Sequence, residues 1–123
     1  MKNNYCLYST IFPKSKKYFF DFIKSVNQQT EINFKLVLCL NGTSLNKKQL
    51  SAIKVPYSLV KCDLPMNKAR VYALKKILNF FSHIVLLDSN DYMNLNIIDL
   101  LKKNIKKNYF LVNNLYIFSN LKK

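Results

Sequence analysis

Apolar and polar positions follow two different periods along this chain, and their alternation predicts strands separated by helices. The segments Tyr5 to Ile11 and Phe34 to Leu40 are nearly continuous apolar runs, as expected for strands that are covered on both faces. Between them, apolar residues recur at helical spacing. This pattern predicts an amphipathic helix from Lys16 to Gln29, with an inner face made of Phe19, Phe22, Ile23 and Val26.

The second half of the chain continues the alternation. Asn46, followed three residues later by Gln49, predicts a capped short helix that ends near Ile53. A longer helix is predicted from Asn67 to Phe81, where one apolar stripe contains Leu74, Ile77, Leu78 and Phe81. The other predicted elements are strands at Tyr57 to Cys62 and Ile84 to Leu87, a helix at Leu95 to Lys106, and strand material at Tyr109 to Phe118 interrupted by Asn113-Asn114.

Strands that alternate with helices favour a single α/β domain over residues 1–123, with three α/β/α layers and a mostly parallel sheet. Ligands in such sheets bind beyond the carboxyl ends of the strands, at a topological switch point. Three strand exits are polar, and we expect the site among them: Ser9 to Pro13, Asn41 to Ser44, and Asp88 to Asp91.

The net charge of +14, from 20 cations against six carboxylates, attracts phosphates or anionic lipid. An AT-rich coding sequence would give the same excess of lysine without any functional demand, so both interpretations stay open. Base-edge recognition usually needs arginine, and Arg70 is the only one in the chain. Sequence-specific binding of nucleic acid is therefore disfavoured.

Several other chemistries lack the residues that they need. The sequence contains a single glycine, Gly42, so it cannot contain a P-loop or a GxGxxG fingerprint, which need several. The three cysteines are predicted to be buried thiols. The lone His83 is predicted to be a surface or packing residue at the end of the sheet opposite the site. No apolar stretch reaches the roughly 20 residues of a membrane span, and no signal peptide is recognised, so we expect a cytoplasmic location.

Four segments, in order and spacing, carry a resemblance to a known family. Leu7 to Thr10 and Tyr18 to Thr30 are similar to an opening strand, a threonine turn and an "ESVLNQT" helix, and Phe34 to Ser44 is similar to a strand with an "NDGS" turn. Pro65 to Arg70 resembles an "AARNxGL" helix, and Ile84 to Met93 resembles the "FLDSDDYM" segment that carries a DxD motif. Over residues 5 to 118 the chain thus resembles the N-terminal half of a family 2 type glycosyltransferase of the GT-A fold.

The resemblance implies binding of a nucleotide-diphosphate sugar and transfer of a hexosyl group to a saccharide or lipid-linked acceptor, as in surface polysaccharide synthesis. Thr10 and Asn41 would line the nucleoside pocket, and Arg70 would position the nucleotide. Asp88 would hold the ribose or a weakly bound Mg²⁺ or Mn²⁺, with Asn90 and Asp91 as further metal ligands. Location at the inner face of the membrane, with peripheral contact to it, is a related expectation. The alternatives are a helix N-cap or simple turn at Asp88 to Asp91, and an exposed helix cation at Arg70.

This sequence also departs from the family pattern. Asn90 supplies a neutral oxygen at the third position of the DxD motif, which lowers the expected metal affinity. Asn41 stands where the family has the acidic residue that contacts uracil. Ile11 and Phe12 stand where the family has a tyrosine and an asparagine after the threonine. A complete domain of the family is longer and contains an acceptor subdomain with the general base. Because no Asp or Glu follows Asp99, we expect this chain to lack that base.

Three functional hypotheses therefore stay open. The chain is a glycosyltransferase or its donor-binding half, completed by a second chain; or it is a catalytically inert remnant that still binds a nucleotide; or it is a basic module for a polyanion or a membrane surface. Truncation also predicts self-association through the apolar residues 109–118.

Overall fold

The computed structural model describes residues 4–87, 98–99, 102, 109–112 and 115–119, and a mixed sheet forms its centre. In this part of the chain the sheet has six strands, in the order β3-β2-β1-β4-β6-β5. The first four are mutually parallel, and β5 and β6 form an antiparallel hairpin on β4. The strands are β1 (Tyr5–Ile11), β2 (Lys35–Asn41), β3 (Tyr57–Cys62), β4 (His83–Leu86), β5 (Tyr109–Val112) and β6 (Leu115–Ser119).

The described helices are α1 (Phe19–Asn27), α2 (Lys47–Ser51) and α3 (Met66–Ile77). The helix predicted from Lys16 instead begins as a 3₁₀ turn at Pro13 and becomes α-helical only at Phe19. Helix α2 begins as predicted, because the side chain of Asn46 accepts a hydrogen bond from the Gln49 backbone N–H at 2.8 Å while the Gln49 side chain accepts one from the Asn46 N–H at 2.9 Å. No helix in the described ranges is long and apolar enough to span a membrane.

The helices lie on both faces of the sheet. Helix α1 buries its apolar side against Leu7, Ile11 and the even-numbered leucines of β2, and Leu50 of α2 packs on the same cluster. Helix α3 packs on the opposite face, against Tyr8, Cys39 and their neighbours. Since β1 and β2 are covered on both faces, their sequences are apolar at nearly every position. The predicted α/β/α layering is confirmed.

The buried side of α3 contains part of the predicted stripe, since Ile77 is buried and Leu74 and Phe81 pack on the same cluster. The helix packs on the sheet through Ala69, Ala73 and Ile77, which are at most 7% exposed, whereas Leu78 is 41% exposed. Two alanines one helical turn apart let the helix backbone approach the strands closely. The α-helix ends at Ile77, so Leu78 does not continue its inner face.

The connections place a topological switch point beside β1. The chain proceeds from β1 to β2 and β3 on one side, and then returns to β4 on the other side of β1. Right-handed crossovers in opposite directions put their helices on opposite faces, which explains why α1 and α3 lie on different sides of the sheet. The carboxyl ends of β1 and β4 flank the crevice where ligands bind in open α/β sheets.

Polar contacts close the other end of the sheet, where β1 and β4 begin. The Asn4 backbone N–H donates to the Ser82 hydroxyl at 2.9 Å, and the Ser82 N–H donates to the Asn4 side chain at 2.9 Å. His83 stacks on Tyr5 with ring centroids 4.8 Å apart, and its Nδ1 lies 2.9 Å from the Ser82 hydroxyl. As predicted, His83 is a packing residue at the end opposite the candidate site.

Burial lowers the pKa of His83, which gives a pH dependence of stability. The neutral ring is favoured in the folded state, so its contribution to stability is fully present above the unfolded pKa of about 6.5. That contribution is lost as the pH falls through the lower pKa of the folded state. We expect His83→Phe, which keeps the stacking on Tyr5, to flatten the dependence of the urea midpoint on pH below about 6.5. An unchanged dependence in this variant would assign the effect to other groups.

Candidate functional site

Thr10 and Asn41 lie together at the carboxyl edge of the sheet. Thr10 is the penultimate residue of β1 and Asn41 is the last residue of the neighbouring β2, and both are buried. The Leu87 N–H donates to the Tyr8 carbonyl at 3.0 Å, so the chain leaving β4 is held against β1 close to the same edge. The predicted ligands Asp88, Asn90 and Asp91 lie outside the described residues.

A polar layer lies beneath this edge on the face that α3 covers. Residues two apart in a strand share a face, so Tyr8 and Thr10 point the same way, and their hydroxyl oxygens are 2.7 Å apart. Burial raises the pKa of the Tyr8 phenol far above its usual range, so the phenol is protonated at neutral pH, and either hydroxyl of the pair can donate the bond. The pair fixes the orientation of the Thr10 side chain at the strand end.

The layer continues through two thiols on β2 and β3. The sulfur atoms of Cys39 and Cys62 are 3.5 Å apart, and both cysteines are free, as the sequence predicts. Burial, with the neighbouring Cys62 thiol, raises the pKa of Cys39 to about 11. Cys39 is therefore protonated at neutral pH and is a poor nucleophile or metal ligand.

The Asn41 side chain joins the end of β2 to the connection between β3 and α3. Its Nδ2 donates to the Leu64 carbonyl at 2.8 Å, and its Oδ1 accepts from the Leu64 N–H at 2.9 Å. The Cys62 thiol donates to the same Oδ1 at 3.5 Å. Asn41 is thus at the predicted position, with its amide engaged in fixing the loop that leads into α3.

Asp63 brings a carboxylate to this edge that the sequence motifs did not select. Gly42 has φ of +70°, and a Cβ there would lie 3.3 Å from Asp63 Oδ1. Asp63 itself is exposed and directly follows the last residue of β3. The sequence could have indicated Asp63, because it is an acidic residue directly after a predicted strand. Asp88 was selected from the same kind of position.

Arg70 is exposed and lies in the first half of α3, whose amino end starts at the same edge. Burial dominates the raised pKa of Tyr8, and the positive charge of Arg70 acts in the opposite direction on that pKa. Thr10 and Asn41 lie near the ends of adjacent parallel strands, and Arg70 lies on the helix that follows β3. Their grouping into one nucleotide site stays a prediction.

Solved structures with this fold include transferases that act on nucleotide-linked sugars. S. aureus TarS 1-349 superposes with a TM-score of 0.63 at 19% identity over 81% of this chain, and a Desulfovibrio desulfuricans protein assigned to the nucleotide-diphospho-sugar transferases gives 0.62 at 11% identity over 97%. The glycosyltransferase GlyE of Streptococcus pneumoniae TIGR4 gives 0.58 at 14% identity over 97%. The chain has the fold of nucleotide-diphospho-sugar transferases.

These matches confirm the predicted fold. The chain spans 30% of the TarS chain, 64% of the D. desulfuricans protein and 34% of GlyE, which is less than two thirds of each. No family model matches the sequence, and no curated protein matches it. At 11–19% identity, these matches show a shared fold over part of each larger protein.

Within the described ranges, no group of three or more His, Cys, Asp or Glu side chains could hold a metal ion. The described residues supply the buried hydroxyl of Thr10 and the exposed guanidinium of Arg70, whereas both polar atoms of the Asn41 amide are bonded to the Leu64 backbone. The predicted metal ligands fall outside these ranges, so the metal stays a prediction.

Proposed function

We propose that this chain binds a nucleotide-diphosphate sugar at the carboxyl edge of its sheet and forms the donor-binding part of a glycosyltransferase. The observation that carries the proposal is the position of Thr10 and Asn41 on adjacent parallel strands, beside the switch point between β1 and β4. Open α/β sheets bind nucleotides at such a point. The shared fold supports the same assignment.

The residues have separate roles in this proposal. Thr10 and the backbone around Asn41 form the wall against the nucleoside, and Arg70 supplies positive charge to the diphosphate. Asp88, Asn90 and Asp91 are oxygen donors, the ligand type that Mg²⁺ and Mn²⁺ prefer. A divalent cation bound there would neutralise charge on the diphosphate leaving group.

The transfer itself is the finer part of the proposal. The acceptor is a saccharide or a lipid-linked saccharide, as in synthesis of a surface polysaccharide, on the cytoplasmic side of the membrane. This part rests on the resemblance of Pro65 to Arg70 and of Ile84 to Met93 to the glycosyltransferase motifs. Binding of the donor is therefore the first property to measure.

Isothermal calorimetry with uridine diphosphate tests donor binding directly. We expect Mg²⁺ or Mn²⁺ to strengthen binding at least about tenfold relative to chelator, because a charge-assisted contact contributes roughly 1.5–3 kcal/mol. Asp88→Ala should remove this metal dependence. The matched control is Asp21→Ala, which removes an exposed carboxylate from α1 and should leave the metal dependence unchanged.

Two results would count against the proposal. Equal affinity with metal and with chelator, together with loss of binding in high salt, would show simple attraction of the nucleotide by lysines. The same loss of metal dependence in Asp21→Ala and Asp88→Ala would show that overall charge, and not a site at the strand end, determines binding.

A further inference from the structure

Large exposed apolar side chains are concentrated in one segment of the chain, from Leu64 to Phe80. We call the exposed side of this segment the α3 face, because α3 forms most of it. Ten large apolar residues are exposed among those that the structure describes, and six of them lie here: Leu64, Met66, Val71, Tyr72, Leu78 and Phe80. Phe80 is 70% exposed and Val71 is 52% exposed. Helix α3 contacts the sheet through Ala69, Ala73 and Ile77, with Leu74 partly buried beside them. Met66, Val71 and Tyr72 of the same helix remain exposed.

The charge of the α3 face has one sign. It exposes four cations, Lys68, Arg70, Lys75 and Lys76, and the sequence has no Asp or Glu between Asp63 and Asp88. The Lys76 ammonium lies 4.9 Å from the centre of the Tyr72 ring, so cations and aromatic groups are in direct contact. The occupant that complements this face must carry negative charge and also accept apolar side chains.

We propose that the α3 face binds the surface of an anionic lipid bilayer. Helices that lie in a membrane interface place Phe, Leu and Tyr at the boundary of the acyl chains and place lysines among the headgroups. Anionic headgroups attract each nearby lysine, so the cations add to the apolar contribution. A soluble polyanion would contact the cations and leave Leu78 and Phe80 in water.

The two lysines of α2 give a comparison within the chain. Lys47 and Lys48 are adjacent and exposed on a helix, as Lys75 and Lys76 are, but no large exposed apolar residue lies in α2. General attraction by the net charge of +14 would involve both pairs equally. Binding of a bilayer through the α3 face would involve only the second pair. This proposal does not depend on nucleotide binding.

Co-sedimentation of the full chain with lipid vesicles tests the proposal. We expect binding to vesicles of phosphatidylcholine with phosphatidylglycerol and little binding to phosphatidylcholine alone. The double change Lys75→Glu/Lys76→Glu should weaken the vesicle partition coefficient at least about tenfold, since each lysine near such a surface contributes several-fold. Leu78→Ser/Phe80→Ser should weaken it in the same direction, through the lost apolar contact.

The matched controls are Lys47→Glu/Lys48→Glu and Ile32→Ser, and both should bind vesicles as the unchanged chain does. The side chain of Ile32 is 68% exposed, nearly the same fraction as that of Phe80, but Ile32 lies outside the α3 face. Far-ultraviolet circular dichroism establishes whether each variant is folded. If one of the two double variants of the α3 face is unfolded, vesicle binding by the other one tests the proposal.

Three outcomes would overturn the proposal. One is the absence of vesicle binding, with or without binding of soluble polyglutamate. Another is equal weakening by the α2 and α3 charge reversals. The third is unchanged binding of Leu78→Ser/Phe80→Ser, which would show attraction to headgroup charge without contact to the bilayer interior.

Discussion

Asn41→Ala is expected to lower the free energy of unfolding by about 2 kcal/mol, because it removes two hydrogen bonds that each contribute roughly 1 kcal/mol. Both join its buried amide to the backbone of Leu64, on the connection between β3 and α3. Without them the loop into α3 loses its attachment to the end of β2. Urea unfolding followed by circular dichroism measures the change.

Asn67→Ala is the control for this substitution. Asn67 is exposed, and its side chain accepts a hydrogen bond from the adjacent Lys68 N–H, a local contact on the surface. Its removal should therefore change stability by less than about 0.5 kcal/mol. A cost for Asn41→Ala no larger than that of Asn67→Ala would contradict the structural role of the amide.

Ala73→Leu is expected to lower the free energy of unfolding by about 1–3 kcal/mol, the usual cost of overpacking a core. Ala73 is fully buried where α3 meets the strands, in the same cluster as Tyr8 and Cys39. A leucine there must displace α3 from the sheet or adopt a strained side-chain conformation. The denaturation midpoint reports this cost.

The control for Ala73→Leu is Val71→Leu, two residues earlier on the exposed side of the same helix. It adds a methylene group where there is solvent, so stability should change by less than about 0.5 kcal/mol. Equal stability of the two variants would mean that α3 is not packed on the sheet through its alanines.

The elements were predictable wherever one side-chain pattern dominated. The continuous apolar runs identified β1 and β2, and the Asn46 to Gln49 spacing identified the start of α2, because these signals are local. The inner face of α3 was predicted in part: Leu74, Ile77 and Phe81 pack on the cluster, whereas Leu78 is exposed. The buried Ala69 and Ala73 were not predicted. Which face of a helix packs depends on how closely the partner strand approaches, and that is not a local property.

The candidate site was predictable to the same extent. The exits of β1 and β2 follow from the strand pattern, so the positions of Thr10 and Asn41 at the carboxyl edge of the sheet were predictable. The contact between Asn41 and Leu64, and the approach of Asp63 to Gly42, depend on the register of β2 against β3 across more than 20 residues. No sequence motif in this chain predicts the register between β2 and β3. Asp88, Asn90 and Asp91 stay predictions because they lie outside the described residues.

The central position of β1 has a consequence for folding during synthesis. During synthesis, β2 can pair with one edge of β1 soon after β1 is made. The other edge of β1 pairs only after β4 is made, and the Asn4–Ser82 contacts next to this pairing join residues 78 positions apart. Such non-local pairing slows folding, since the loop must close before its contacts contribute. A nascent chain that has not yet exposed β4 therefore presents β1 as an unpaired apolar edge, the form of the protein most prone to aggregate.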